Sequence, residues 1–279
     1  MKPMTAKHTR LKLLVLAMLW IGAFFPVYPG LFSAWLNNAN DSHGILVPFI
    51  SIFLIWQKRG KLRNANISNS DWGLIVLLVS MSIYVISYAG DVAVISRAMI
   101  VSSLIGLVLF TLGRDFAKLL AFPLLFLSFM VPFPQSVLSL VAFPLQLFVT
   151  DVSALVIHSV SIPVHQEGNL LFFAQAQLEV AEACSGIRSL VSLAMLGVLF
   201  AYMLGHGGWV RKAIILASVI PLALFTNIVR VTGTGILAHF FGQGVAHGFL
   251  HNFSGMTVFG LGFILLFGEY LLLERLPTQ

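Results

Sequence analysis

Charge is what this sequence has least of. Only 9% of its 279 residues are Asp, Glu, Lys or Arg, where an ordinary soluble domain carries roughly 25%. Cysteine is nearly absent too: Cys184 stands alone, which excludes an internal disulfide framework and any cysteine-rich metal site. Internal repeats, low-complexity tracts and a soluble domain are also missing, as is any basic patch interleaved with aromatic residues. The net charge of +6 therefore does not point to nucleic acid.

In place of charge there is apolar surface. The hydrophobic share is 58% and the mean hydropathy +0.96, so the solvent for most of the chain must be lipid. Apolar runs near 11–33, 72–90, 92–112, 184–204, 213–235 and 252–273 reach the length of a membrane helix, and shorter ones lie at 44–57 and 119–132. The fold expected is an all-α polytopic transmembrane bundle of about eight spans, forming a single membrane domain over 1–279. The run from Leu11 to Phe32 is longer than a signal-peptide core of about 7–15 residues and lacks a clear cleavage site, so it reads as a retained span.

Lys and Arg collect in cytoplasmic loops. Lys2, Lys7, Arg10 and Lys12 precede the first span, while Lys58, Arg59, Lys61 and Arg63 follow the second. Arg114, Lys118, Arg211, Lys212 and Arg275 also fall between or after spans. All can face the cytosol, with both termini inside, if 135–161 makes no net crossing. That segment is then expected to be re-entrant or interfacial, broken by Pro132, Pro134 and Pro144. Leu119 to Ile187 contains no Lys or Arg, which puts this stretch, and Cys184 at the head of the next helix, on the outer face.

Arg97, Arg188 and Arg230 break the rule. Each falls inside or at the outer end of a span, where an ionised side chain costs on the order of 2.5–3.5 kcal/mol and needs a partner. Arg97 has an ordinary explanation, snorkelling to outer headgroups or pairing with Asp91. Arg188 follows Cys184 by four residues, hence on the same helical face, and Glu179 or Glu182 could neutralise it. Asn227 lies three residues before Arg230, and a membrane asparagine commonly satisfies its neighbours in the bundle. His247 and His251 have the i, i+4 spacing of metal ligands, but without an intervening Glu or a third ligand that pattern is weak. No metal or cofactor is expected.

The topology gathers Cys184, Arg188, Arg230 and His251 at one face. A helix start and nearby guanidinium groups both lower a thiol pKa, favouring a thiolate nucleophile. Ser185 and Gly186 are small enough for a substrate backbone to approach the sulfur. An imidazole at His251 can pass a proton to a leaving amine, and Arg230 can stabilise an oxyanion. These are the parts of a thiol acyl-transfer site.

Three blocks, Glu182-Ala183-Cys184-Ser185-Gly186-Ile187-Arg188-Ser189-Leu190, Asn227-Ile228-Val229-Arg230 and His251-Asn252-Phe253-Ser254-Gly255, closely resemble the signature blocks of the exosortases. Asp41-Ser42-His43-Gly44 with Pro48, and Pro163-Val164 through Glu167-Gly168-Asn169, look like that family too. The resemblance covers about residues 41–272. It implies a bacterial inner-membrane cysteine protease or transpeptidase with its active site facing the periplasm. Its substrates would be membrane-anchored proteins bearing a tripartite PEP-CTERM-type tail, with transfer to an acceptor nucleophile and a link to exopolysaccharide and biofilm export. The family's presumed Cys, Arg and His fall on Cys184, Arg230 and His251. Asn252 departs from the aspartate expected beside the histidine, which removes a carboxylate that could raise the pKa of His251.

Two other classes remain open to a polytopic chain. A transporter would line an ion path with Arg97, Arg188, Arg230, His247 and Asp91, and predicts repeats and midplane charges that the sequence does not display. A non-catalytic scaffold of an exopolysaccharide machine would use Cys184 only for packing.

Overall fold

The computed structural model describes residues 6–174, 176–180, 187–205, 208–242 and 249–276; at 6–10, 135, 187–188 and 249–256 it describes the backbone course alone. The chain divides into two compact units, Met1–Pro134 and Gln135–Gln279.

Unit 1 begins with α1 (Ala6–Ala23) and α2 (Tyr28–Asn37). A 3-10 turn at Phe25–Val27, with Pro26 in its first positions, bends the pair by 42°, because proline favours a helix start and cannot continue the preceding ladder. After a second 3-10 turn come α3 (Leu46–Gln57), α4 (Arg59–Arg63), α5 (Asp71–Ala89), α6 (Ala93–Thr111) and α7 (Arg114–Phe126). α5 and α6 approach closely at glycine: a Cβ added at Gly106 would lie 2.6 Å from the Leu77 backbone nitrogen. Ser80 and Ser102 hydroxyls meet at 2.7 Å across the same interface. Small residues and hydroxyl contacts are what hold helices together where lipid removes the hydrophobic drive. Gly106→Val must therefore push backbone from backbone; we expect a loss of about 1–3 kcal/mol, read as a lower melting temperature in detergent, and an unchanged value would contradict this packing.

Proline also explains one link between α3 and α7. Pro123, inside α7, has no N–H to offer the carbonyl of Leu119; the Lys58 ammonium donates to that carbonyl at 2.5 Å. Ser51 donates to the Pro123 carbonyl at 3.1 Å. These contacts gather Lys58, Arg114 and Lys118 at one end of unit 1. At the opposite end, the Trp35 indole donates to the Met130 carbonyl at 2.9 Å.

Unit 2 opens with α8 (Gln135–Ser159), followed by a three-stranded antiparallel meander of β1 (His165–Glu167), β2 (Leu170–Phe172) and β3 (Gln177–Glu179). Then come α9 (Ile187–Met203), α10 (Gly208–Phe241) and α11 (Phe249–Arg275). One core joins the later half of α8 (Val149, Ile157), the meander (Leu171, Leu178) and the later half of α10 (Val231, Ala238). A second joins α9, α10 and α11 through Leu193, Phe200, Ile215, Val219 and Leu266.

Helices dominate, as an all-α membrane protein requires, and the meander is an addition. Five described helical segments are long and apolar enough to cross a bilayer: Asp71–Ala89, Ala93–Thr111, Ser136–Ser159, Gly208–Phe241 and Thr257–Arg275. The bent pair of α1 and α2 makes six, short of the eight expected. Ser42–Gln57 and Ser189–Met203 are apolar but shorter. Within 119–132 the helix ends at Phe126 and passes into a 3-10 turn, Leu127–Met130, ahead of Pro132 and Pro134. The expectation for 135–161 also needs correction. That segment is not broken at Pro144 but forms one helix of 25 residues through it, as membrane helices tolerate when neighbouring groups take up the freed carbonyl.

Candidate active site

Cys184, with Glu182, Ser185 and Gly186, lies outside the described residues, as does His247. Arg188 is the second residue of α9 and His251 the third of α11; their side chains are likewise outside the description. Arg230 is partly buried on α10, and Asn227, one turn earlier, is 2% exposed.

Helix register sets the heights of these positions along the bundle. α10 and α11 run antiparallel, with Ser218 donating to Glu269 Oε2 at 2.5 Å and Arg211 Nη1 to the Leu273 carbonyl at 3.2 Å. Counting from Ser218 and Glu269 at 1.5 Å per residue, Arg230 and the start of α11 at His251 lie within roughly 9 Å of one another along the axis. On α9, Gly197 faces Val219, whose Cγ2 is 2.6 Å from the position of an added Cβ, which brings Arg188 to within roughly 3 Å of the height of Arg230. Arg211, at the other end, is about 28 Å from Arg230, close to the roughly 30 Å thickness of a bilayer core. Arg188, Arg230 and His251 thus belong to one end of unit 2, and Arg211 and Lys212 to the other.

The meander controls the chain that leads to the cysteine block. Gly168, at φ 59°, and Asn169 close the β1–β2 hairpin, a two-residue turn of the kind that favours glycine first. The Val180 N–H then donates to the Asn169 carbonyl at 2.9 Å, and the Asn169 amide returns a bond to the Val180 carbonyl at 3.3 Å. A third link comes from α8, where the buried Gln146 amide also donates to the Val180 carbonyl. Val180, four residues before Cys184 in sequence, is 1% exposed and shares its core with Val231, the neighbour of Arg230. Sequence reasoning missed Gln146, although an amide inside an apolar run was a signal that something polar must meet it.

The Asp41-Ser42-His43-Gly44 block belongs to unit 1. Gly44 lies beneath the Trp35 indole, where any Cβ would collide with the ring. Asn38 donates to Asp41 Oδ2 at 2.7 Å. Burial pushes the Asp41 carboxyl above the usual carboxylate range, against the pull of Arg97 and the Asn38 amide. The His43 imidazole is pushed down by burial, partly offset by the Asn40 and Phe129 backbone carbonyls. The carboxylate whose charge bears on Arg97 is Asp41; of the two sequence alternatives, snorkelling to headgroups and pairing with Asp91, the pairing is not seen, since among the described residues no carboxylate lies within ion-pair distance of Arg97.

The sequence model of the transmembrane exosortases matches residues 35–268, starting at Trp35 and running through both units into α11. The chain belongs to the transmembrane exosortase family. All three resemblance blocks of this exosortase family member, and the Asp41 and Glu167-Gly168-Asn169 motifs, fall inside the matched range. No curated protein and no solved structure matches the chain. Membership and the apolar helices together make it a multi-pass membrane protein.

Proposed function

We propose that this exosortase family member is a membrane cysteine protease or transpeptidase that cleaves C-terminal PEP-CTERM-type sorting tails at the periplasmic face of the bacterial inner membrane. The observation that carries the reading is the family match across residues 35–268, which spans Cys184, Arg230 and His251. That Arg188, Arg230 and the start of α11 fall at the same end of unit 2 supports it, as does the core shared by Val180 and Val231. In each unit the basic end faces the cytosol by the positive-inside rule, and Arg230 lies about one bilayer thickness from Arg211.

The tail helix of a membrane-anchored substrate packs against the bundle and presents its recognition motif. The Cys184 thiolate attacks the scissile carbonyl carbon, and Arg230 holds the oxyanion. As the C–N bond breaks, His251 gives a proton to the departing amine and a thioester remains on the sulfur. An acceptor nucleophile or water then attacks the thioester carbonyl, His251 takes its proton, and the thiolate leaves. Holding substrate and thiol in one membrane supplies much of the orientation that the reaction needs. The acylated product connects the enzyme to surface protein sorting and exopolysaccharide export.

Thiol labelling tests the activated cysteine directly. A membrane-impermeant maleimide added to spheroplasts is expected to modify Cys184 from the outer side, at a rate still high well below the ordinary thiol pKa of about 8.5. Labelling that rises only near that value, or only from the cytosolic side, would overturn the assignment.

A further inference from the structure

The cysteine chemistry leaves Arg97 without a task, and unit 1 gives it a setting. A cavity of about 100 Å³ opens where α5 turns into α6, lined among others by Gly30, Ser87, Tyr88, Asp91, Ser96 and Arg97. Arg97 is the fifth residue of α6, about 6 Å along the helix from its start. Asp91 sits in the connection itself, exposed and with a left-handed backbone at φ 55°. The cavity therefore carries its cation along the span and its carboxylate at the rim.

Room for the guanidinium itself is built into the backbone. Gly30 of α2 faces it, and a Cβ there would stand 3.1 Å from Arg97 Nη2. The guanidinium makes no hydrogen bond or close ion pair to a described residue; Asp41 compensates it from a distance, with its own Oδ2 engaged by Asn38. A planar fork of donors left open beside a small cavity of mixed polar and apolar lining suits a phosphate at the guanidinium. Both α5 and α6 qualify as membrane spans, so the loop joining them lies at the headgroup level of a bilayer. In a phospholipid the phosphodiester lies nearer the hydrocarbon than the amine it carries, the same order as Arg97 and Asp91.

We propose that this cavity seats the headgroup of an amine-bearing zwitterionic phospholipid, its phosphate on Arg97 and its primary ammonium on Asp91. The shared chemistry is a phosphate ester two carbons from an ammonium group. A primary ammonium donates hydrogen bonds to the Asp91 carboxylate, whereas a trimethylated one cannot, and a purely anionic headgroup meets like charge at the rim. The site is independent of the cysteine reaction and stands or falls without it.

The test is native mass spectrometry of the full chain in detergent, offered equal amounts of phosphatidylethanolamine, phosphatidylcholine and phosphatidylglycerol with identical acyl chains. Phosphatidylethanolamine is expected to be retained in preference to the other two. Arg97→Gln should weaken its retention about tenfold or more, while Asp91→Asn, at an exposed position, should erase its advantage over phosphatidylglycerol. Equal retention of all three lipids by the unmodified protein, or a preference unmoved by both substitutions, would overturn the proposal. So would displacement of the lipid by soluble phosphoethanolamine at equal concentration, which would assign the cavity to a free phosphoamine instead. Should Arg97→Gln fail to fold, Asp91→Asn and Arg97→Lys decide the matter, the lysine variant being expected to keep charge but lose the forked contact and most of the preference.

Discussion

Replacing Cys184 by alanine is expected to abolish removal of the substrate tail while leaving the amount and the heat stability of the protein unchanged. The reason is chemical rather than structural: in the proposed reaction the thioester forms on that sulfur, and no other residue of the chain supplies a second thiol. Losing a nucleophile that acts as one unit with its base and its oxyanion partner removes nearly the whole rate enhancement, so a fall on the order of 10³-fold or more is expected. Cys184→Ser should fare little better, because a hydroxyl at neutral pH is a far poorer nucleophile than an activated thiolate. The measurement is the ratio of full-length to tail-less substrate in membranes expressing each variant at equal level. Complete processing by Cys184→Ala would end the proposal.

Arg230 carries the second large effect. A group that stabilises charge only as the tetrahedral intermediate forms contributes about 10²–10³ to the turnover rate; Arg230→Gln should slow tail release by that factor with little change in substrate binding. Arg230→Lys separates the two ways an arginine can act. It retains the charge but not the planar fork, and is expected to recover only a small part of the rate. If lysine restores processing in full, directional hydrogen bonding is not what Arg230 provides. Because Arg230 is partly buried, the comparison is meaningful between variants with the same melting temperature.

Much of this architecture is visible in the order of residue types, and some is not. The apolar runs that become α5, α6, α10 and α11 are read directly, since burial in lipid demands about 20 apolar residues in succession. The boundaries of weaker runs are set by events that hydropathy does not register. Gly113 takes φ 91° ahead of α7, and Pro132 and Pro134 follow its final turn. α8 shows the opposite error: Pro144 reads as a break, but the helix runs through it without interruption. The meander was hidden because its strands have three residues each, too few for an alternation to stand out. The glycine and asparagine that close its first hairpin were visible as family-like residues without a stated task. Arg97 and Asp91 stand out in the sequence as a pair of opposite charges, but the cavity they line also takes in Gly30 of α2, a neighbour that sequence distance hides. His43 illustrates the same limit: the groups that bear on its imidazole include the backbone of Phe129, 86 residues away in sequence.

The bond from Gln146 to the Val180 carbonyl ties a lipid-facing helix to the end of the meander, four residues before Cys184 in sequence. Each residue of a helix is turned by about 100° from the last, so a roll of α8 by a single position would swing that buried amide away from its acceptor and leave the Val180 carbonyl to Asn169 alone. The strand end and the helix must consequently shift as one piece. With Leu140, Phe143, Phe148 and Leu155 exposed on α8, lateral pressure from surrounding acyl chains has a mechanical route to the end of the meander at Val180.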